Sequence, residues 1–280
     1  MTRPIVLIHI PKTAGTAFAS VLRHNFPAGE VWLPNVFRDP HATERRAREV
    51  ASMAKVELVR GHAPLTIREL LPPGWRYVSF LREPLARSYS HYRHVYNRRI
   101  LAGDEPPPEQ GLAESPLLPD NLQTRMLSGL SDWRTHPADD ALLTAALREL
   151  RDLEYVGITE RFAESMLLAR DRLGLRSAAY RRENVRGAGV VPPEHVEALR
   201  RHNELDLQLY NEALALLGPR LAGVSAARAS ALERAAGRRI SPVYTATKSV
   251  ATIRRRTARW KQVRRWRRWR MTRALRKIAG

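Results

Sequence analysis

The chain opens on an apolar run, Ile5 to Ile10, in which β-branched residues follow one another without polar alternation and a turn comes at once. That pattern predicts a strand buried on both faces of a parallel sheet. Residues 17–25 carry apolar positions at helical spacing, so the opening reads strand, tight loop, helix. Further along, 43–55 reads as a charged surface helix, VELVR at 56–60 as a second strand and RYVSFL at 76–81 as a third; a long helix then runs from Pro84 to near Ile100. Helical patterns recur at 120–130 and 138–152, followed by a strand at Tyr155–Ile158 and a helix from Glu160 to Leu173. A last core helix is expected from Pro193, where proline suits a first turn, to Leu217, with Gly218-Pro219 as its stop. Five prolines between Gly103 and Asp120 forbid a continuous helix or interior strand, so 101–120 is expected to be a surface loop or lid. There is no internal repeat.

Strands alternating with helices predict an α/β fold: a single P-loop-like domain with a central parallel sheet flanked by helices. Composition adds a second part. Lys and Arg total 48 against 28 Asp and Glu, a formal net charge of +20, but residues 241–280 hold 14 of the basic residues and no acidic one. The expected organisation is therefore a domain over 1–240 and a basic Arg/Trp-rich tail, helical or disordered, over 241–280. The remaining excess is ordinary for a domain that handles a phosphorylated ligand. The absence of Cys excludes a disulfide scaffold, thiolate zinc sites and a Cys nucleophile, and agrees with a reducing compartment. Any metal chemistry would need His or carboxylate. The six-residue run Ile5–Ile10 is too short for a signal peptide or a spanning helix.

Candidate chemistry starts in the loop after the first strand. His9-Ile10-Pro11-Lys12-Thr13-Ala14-Gly15-Thr16-Ala17-Phe18 places a lysine, two hydroxyls and a glycine between a buried strand and a helix start. There, amide N–H groups and the helix dipole converge, and Lys12 adds a full positive charge, the makings of an anion cradle. Gly15 is expected to let the backbone approach the ligand, and Thr13 or Thr16 to donate through its side chain. A Walker A loop has GxxxxGK[ST]; this segment lacks its first glycine and carries lysine before the loop glycine, which disfavours a generic nucleoside triphosphatase. Two further segments end strands: Gly61-His62 after LVR, and Arg82-Glu83-Pro84 after RYVSFL, with Ser90 eight residues beyond Arg82. Ends of parallel strands are where α/β proteins place reacting groups.

PKTAGTAF after an apolar strand resembles the 5′-phosphosulfate-binding loop of the PAPS-dependent sulfotransferases, in the branch that includes the heparan-sulfate 2-O-sulfotransferases and bacterial carbohydrate sulfotransferases. YVSFLREPLARSYSHYRHV at 77–95 matches the same family's strand, R-[DE]-P, second Arg and Ser pattern. Arg82 and Ser90 fall on the positions that bind the 3′-phosphate of PAPS, for which a forked guanidinium and a hydroxyl are apt donors. The Gly-His at a strand end matches the family's general base at His62, with Arg60 standing where some members have another histidine. NLQTRMLSG at 121–129, YVGITERFAESMLLARDRLGL at 155–175, ENVRG at 183–187 and NELDLQLYNEAL at 203–214 extend the resemblance over nearly all of 1–217.

The resemblance implies in-line transfer of a sulfuryl group from PAPS to a hydroxyl of a sugar or glycolipid, without a metal. Lys12 would stabilise charge on the bridging oxygen and His62 accept the hydroxyl proton. Thr13, Gly15, Thr16 and Ala17 would hold the 5′-phosphate through main-chain N–H, and Arg82 with Ser90 the 3′-phosphate. Arg181, Arg182 and Arg186 lie where relatives close a basic loop; Glu160 and Gln123 are polar candidates to orient acceptor or nucleotide. From another class, a nucleic-acid- or polyanion-binding protein without catalysis stays open, as does a nucleotide kinase, although no specific nucleic acid is expected. In the tail, Trp260, Val263, Trp266 and Trp269 recur every three residues among arginines. Such a segment suits an anionic membrane surface through 248–280, an acidic polymer, or a solvated tail. A cytoplasmic location, peripheral at the inner face of the membrane, follows as an expectation.

Overall fold

The computed structural model describes residues 3–27, 29–102, 118–180 and 190–237. The expectations for most of the proline-rich 101–120 loop, for Arg181, Arg182 and Arg186, and for the tail over 241–280 with its membrane segment 248–280 fall outside these residues. Five strands, β1 (Ile5–Ile8), β2 (Glu30–Trp32), β3 (Leu58–Gly61), β4 (Arg76–Leu81) and β5 (Tyr155–Ile158), form one all-parallel sheet in the order β2-β3-β1-β4-β5. Nine α-helices among the described residues accompany it: α1 (Gly15–Asn25), α2 (Pro40–Ala51), α3 (Pro84–Ala102), α4 (Leu122–Leu127), α5 (Asp140–Asp152), α6 (Phe162–Leu173), α7 (Pro193–His202), α8 (Glu204–Ala222) and α9 (Ala226–Gly237).

The unbroken apolar run of β1 has a direct consequence. Because side chains alternate along a strand, Val6 and Ile8 enter one core with residues of α2, α4, α5 and α8, while Ile5 and Leu7 enter a second with α1, α6 and α9. Both faces are thereby covered, which an all-parallel sheet requires. Gly157 in β5 leaves room for the Phe80 ring, which a Cβ there would strike. The α/β class and the central parallel sheet expected from the alternation are what the structure has. Between β1 and β4 the connections diverge, toward β2 on one side and β5 on the other. In open α/β sheets such a reversal marks the crevice outside the carboxyl ends of the strands where ligands usually bind.

Several element boundaries differ from the sequence expectation. β1 stops at Ile8: after a last bond to β3, from His9 N–H to Gly61 O at 3.2 Å, Ile10 N–H turns back to Ile8 O at 3.2 Å. β2, three residues on the sheet edge, carries too short a pattern to read. The single helix expected over 193–217 is two. Asn203, fully buried, breaks it by donating to Leu199 O at 2.8 Å and accepting from Ser88 Oγ at 2.9 Å. Gly218-Pro219 is not a stop: α8 runs to Ala222 with Pro219 inside it. Buried Leu221 anchors that last turn, and Arg161 donates to its carbonyl at 3.2 Å. The proline removes one helical bond near a terminus, where the core contact outweighs it. α9, packed against α6, was not anticipated.

Candidate active site

Lys12, His62 and Arg82 all follow the carboxyl ends of adjacent strands, β1, β3 and β4. The loop after β1 is held in an unusual shape. Lys12 has φ 73° and Ala14, the residue capping α1, φ 59°, both left-handed, while Thr13 between them does not share that sign. Left-handed non-glycine residues are costly and concentrate at binding sites, and such alternation turns successive N–H groups toward one concavity. Thr13 is buried and its hydroxyl donates to Ile10 O at 3.0 Å, so the side chain braces the loop. Ala17 N–H donates to Ala14 O at 2.9 Å, and its amide is engaged within the turn. Gly15 and Thr16 provide the first amides of α1, which a helix leaves without an internal partner. Thr16 is exposed.

Gly15 serves a purpose the sequence did not disclose. A Cβ there would collide with the His9 ring, so glycine is required by a protein side chain and not only by a ligand's approach. That ring is buried and lies 4.3 Å from the His62 ring, centroid to centroid. Burial first, then His62 and Arg60, hold His9 down at about 3, so it is neutral. His62 Nδ1 lies 2.7 Å from His9 O. A carbonyl only accepts, so Nδ1 carries the proton and Nε2 keeps its lone pair. Burial lowers His62 below the usual histidine range, against the opposing bond to His9 O and with Arg38 adding to the lowering. His62 is thereby a neutral imidazole with a defined basic nitrogen. The second histidine beside it comes from the end of β1 and not from the neighbourhood in sequence, while Arg60, two residues before His62, pairs with Glu30 and stacks 4.3 Å over Trp32.

Arg82 joins the loop to β4: its Nη1 donates to Lys12 O at 3.2 Å. Its Nε is buried without a hydrogen-bond partner, with the Glu160 carboxylate 3.9 Å away. Burial lowers both Lys12 and Arg82, and Arg82 lowers Lys12 further. Two desolvated cations pressed together mark a place that gains from an anion. Glu83 acts on Arg82 through its charge, while its carboxylate caps α3, accepting from Leu85 N at 3.0 Å and Ala86 N at 2.6 Å. Glu160 accepts from Glu83 N at 3.1 Å and Tyr210 Oη at 2.8 Å, which ties β5, α3 and α8 at the crevice. Ser90 lies half-buried on α3. Gln123, fully buried, spends its carboxamide on the Arg82 main chain. Among the described residues no group of His, Asp and Glu has the arrangement of a metal site.

No protein-family model matches the chain. Among curated proteins it is similar to galactose-3-O-sulfotransferase 3 of Bos taurus, 29% identical over 259 residues, covering 80% of this chain and 58% of that protein. The chain spans somewhat more than half the length of that curated relative. Among solved structures it is similar to mouse sulfotransferase SULT7A1 complexed with PAP, at 15% identity and a TM-score of 0.34 over 74% of this chain and 65% of that one.

α3 holds more than the REP motif and Ser90 led one to expect. His91 is in electrostatic reach of Arg87, His94, Lys12 and His62, with Nδ1 buried and unpartnered; burial and those neighbours hold it at about 3. The motif string SYSHYRH contains both histidines, but only the turn of α3 toward the loop selects them. His9 and His91 make a stability prediction. Each is neutral when folded and titrates near 6.5 when unfolded, so their contribution is complete above pH 6.5 and is lost as pH falls toward about 3. Unfolding midpoints at pH 7.5 and 4.5 should show a drop that His91→Leu reduces; an unchanged drop would remove His91 from this account.

Proposed function

We propose that the chain transfers a sulfuryl group from PAPS to a hydroxyl of a carbohydrate, a free sugar or a glycolipid. The observation that carries this reading is the meeting of two desolvated cations, Lys12 and Arg82, joined through the Lys12 carbonyl, with a basic imidazole nitrogen at the neighbouring strand end. The bovine relative's name, a galactose sulfotransferase, supports the acceptor class.

The residues fit a doubly phosphorylated donor. The amides of Gly15 and Thr16, and the left-handed turn before them, suit the 5′-phosphate. Arg82, with an unpartnered Nε, and Ser90 on the next helix suit the 3′-phosphate. In the reaction the acceptor oxygen bonds to sulfur as the sulfur–oxygen bond to the nucleotide breaks, leaving 3′,5′-ADP. His62 Nε2 takes the hydroxyl proton, Nδ1 being fixed by His9 O. Lys12 balances negative charge as it grows on the departing bridging oxygen. Sulfuryl transfer, like phosphoryl transfer, is accelerated mainly by such placement of charge.

Thermal stabilisation by 3′,5′-ADP is expected to exceed that by 5′-AMP or ATP at equal concentration, because only the first fills both phosphate positions. Equal stabilisation by all three would overturn the reading and favour a nucleotide kinase or a polyanion binder. The base is tested separately. The lowered His62 value puts the acidic limb of kcat/KM below pH 6.5, with the rate rising as the imidazole loses its proton. His62→Asn should remove that limb along with about 10²–10⁴-fold of the rate; a variant with an unchanged profile would exclude His62.

A further inference from the structure

The main chain of Arg82 is gripped by a side chain. Gln123 Oε1 accepts from Arg82 N–H at 3.0 Å and Gln123 Nε2 donates to Arg82 O at 2.9 Å. The ladder between β4 and β5 ends one residue earlier, at Leu81 opposite Ile158. The carboxamide thus continues the sheet by one residue, offering one donor and one acceptor as a neighbouring strand would. Glutamate lacks the donor, and shorter Asn lacks the reach.

Gln123 is in turn held from behind. Asp206, fully buried on α8, accepts from Gln123 N at 3.1 Å, Thr124 N at 2.7 Å and Thr124 Oγ1 at 2.8 Å. The clasp is reciprocal, since Asn121 Oδ1 accepts from Leu205 N at 2.9 Å and Asp206 N at 3.2 Å. Two helix starts, α4 and α8, cap each other and fix the position from which Gln123 reaches β4. Fully buried Arg87, on the first turns of α3, lies 3.9 Å from Asp206 Oδ2 and donates to Ser88 Oγ at 2.8 Å.

We infer that Gln123 is a positioning residue for Arg82, through which the Asp206 clasp sets the cation that reads the 3′-phosphate. The inference rests on the proposed donor. Gln123 touches no ligand: its effect on binding passes through the Arg82 backbone, whose placement decides whether the guanidinium meets both Lys12 O and the second phosphate. The amides of Gly15 and Thr16, which suit the 5′-phosphate, start α1 and are coupled to Arg82 only indirectly, through its bond to Lys12 O.

The test compares wild-type chain with Gln123→Met, which keeps the length and fills the space without hydrogen bonds, and Gln123→Glu, which keeps the outline but loses the donor. Affinities for 3′,5′-ADP and 5′-AMP are measured by calorimetry, with unfolding midpoints as a control. The expected result is a loss of about tenfold in 3′,5′-ADP affinity, in line with two hydrogen bonds, with a clearly smaller loss for 5′-AMP. A uniform loss for both nucleotides, or none, would show that Gln123 is merely structural. If Met fails to fold, the same discrimination is read in Glu. A wild-type chain without preference for 3′,5′-ADP overturns the donor reading and this inference with it; a wild-type preference that both variants retain overturns the positioning role alone.

Discussion

Lys12→Ala is expected to slow single-turnover transfer by about 10²–10³-fold, the range for removing one preorganised donor from developing negative charge, while the unfolding midpoint stays near that of the wild type. The fold should tolerate the change because the backbone at position 12 is already left-handed, with φ 73°. Alanine and lysine bear that conformation at similar cost, both having a Cβ. The ammonium is also not part of the core: Lys12 is half-buried, and its carbonyl, not its side chain, accepts from Arg82 at 3.2 Å. Removing the ammonium relieves Arg82 of a like charge, so 3′,5′-ADP affinity should fall less than the rate. Rate and affinity falling together would assign Lys12 to ground-state binding, and full retention of rate would remove it from the mechanism.

The second large effect concerns stability. Asp206→Ala leaves fully buried Arg87 without its counter-charge and strips three donors of their acceptor, the amides of Gln123 and Thr124 and the Thr124 hydroxyl. Breaking one partner of a buried pair costs about 3–5 kcal/mol. For a chain of this size that corresponds to roughly 10 °C in Tm. Burial raises the Asp206 carboxyl, and Arg87 with the Thr124 and Gln123 amides opposes the rise. The double variant Arg87→Met with Asp206→Leu separates the two causes: it removes the stranded charge but leaves the amides unsatisfied, so it should recover only part of the loss. Chemical denaturation of the three proteins checks this; a loss below about 1 kcal/mol in the single variant would mean that solvent or rearranged neighbours satisfy the site.

The strand ends were legible because each rests on a local pattern. An apolar run followed by PKTAG, LVRGH, and RYVSFL followed by REP each announce a buried strand and the turn after it. Those patterns put Lys12, His62 and Arg82 just after strands, and the structure has these strands adjacent, with the three residues beyond their carboxyl ends. Ser90 was placed on the right helix, but its Arg87 neighbour is a core residue. The reasons behind several residues were hidden. Gly15 looked like a ligand's requirement and also answers to His9; Thr13 looked like a ligand donor and braces the loop; Gln123 looked like a possible ligand contact and holds the backbone of Arg82. The broken helix at Asn203 was equally unreadable, since the side chain's competing partners lie in α3.

What the sequence by itself determined is the part governed by short-range physics: strands where apolar residues run unbroken, helices where they recur at helical spacing, and charge or glycine at the turns between. Only the tertiary structure decided what those turns do together. The order β2-β3-β1-β4-β5 brings residues 12, 62 and 82 to one crevice, and a carbonyl of His9 chooses the basic nitrogen of His62. Hydrogen bonds and charge pairs between residues 41 and 83 positions apart, such as Gln123 with Arg82 and Asp206 with Gln123, have no periodicity along the chain. They exist only once packing has excluded water, because only then does an unsatisfied polar group cost enough to select its partner.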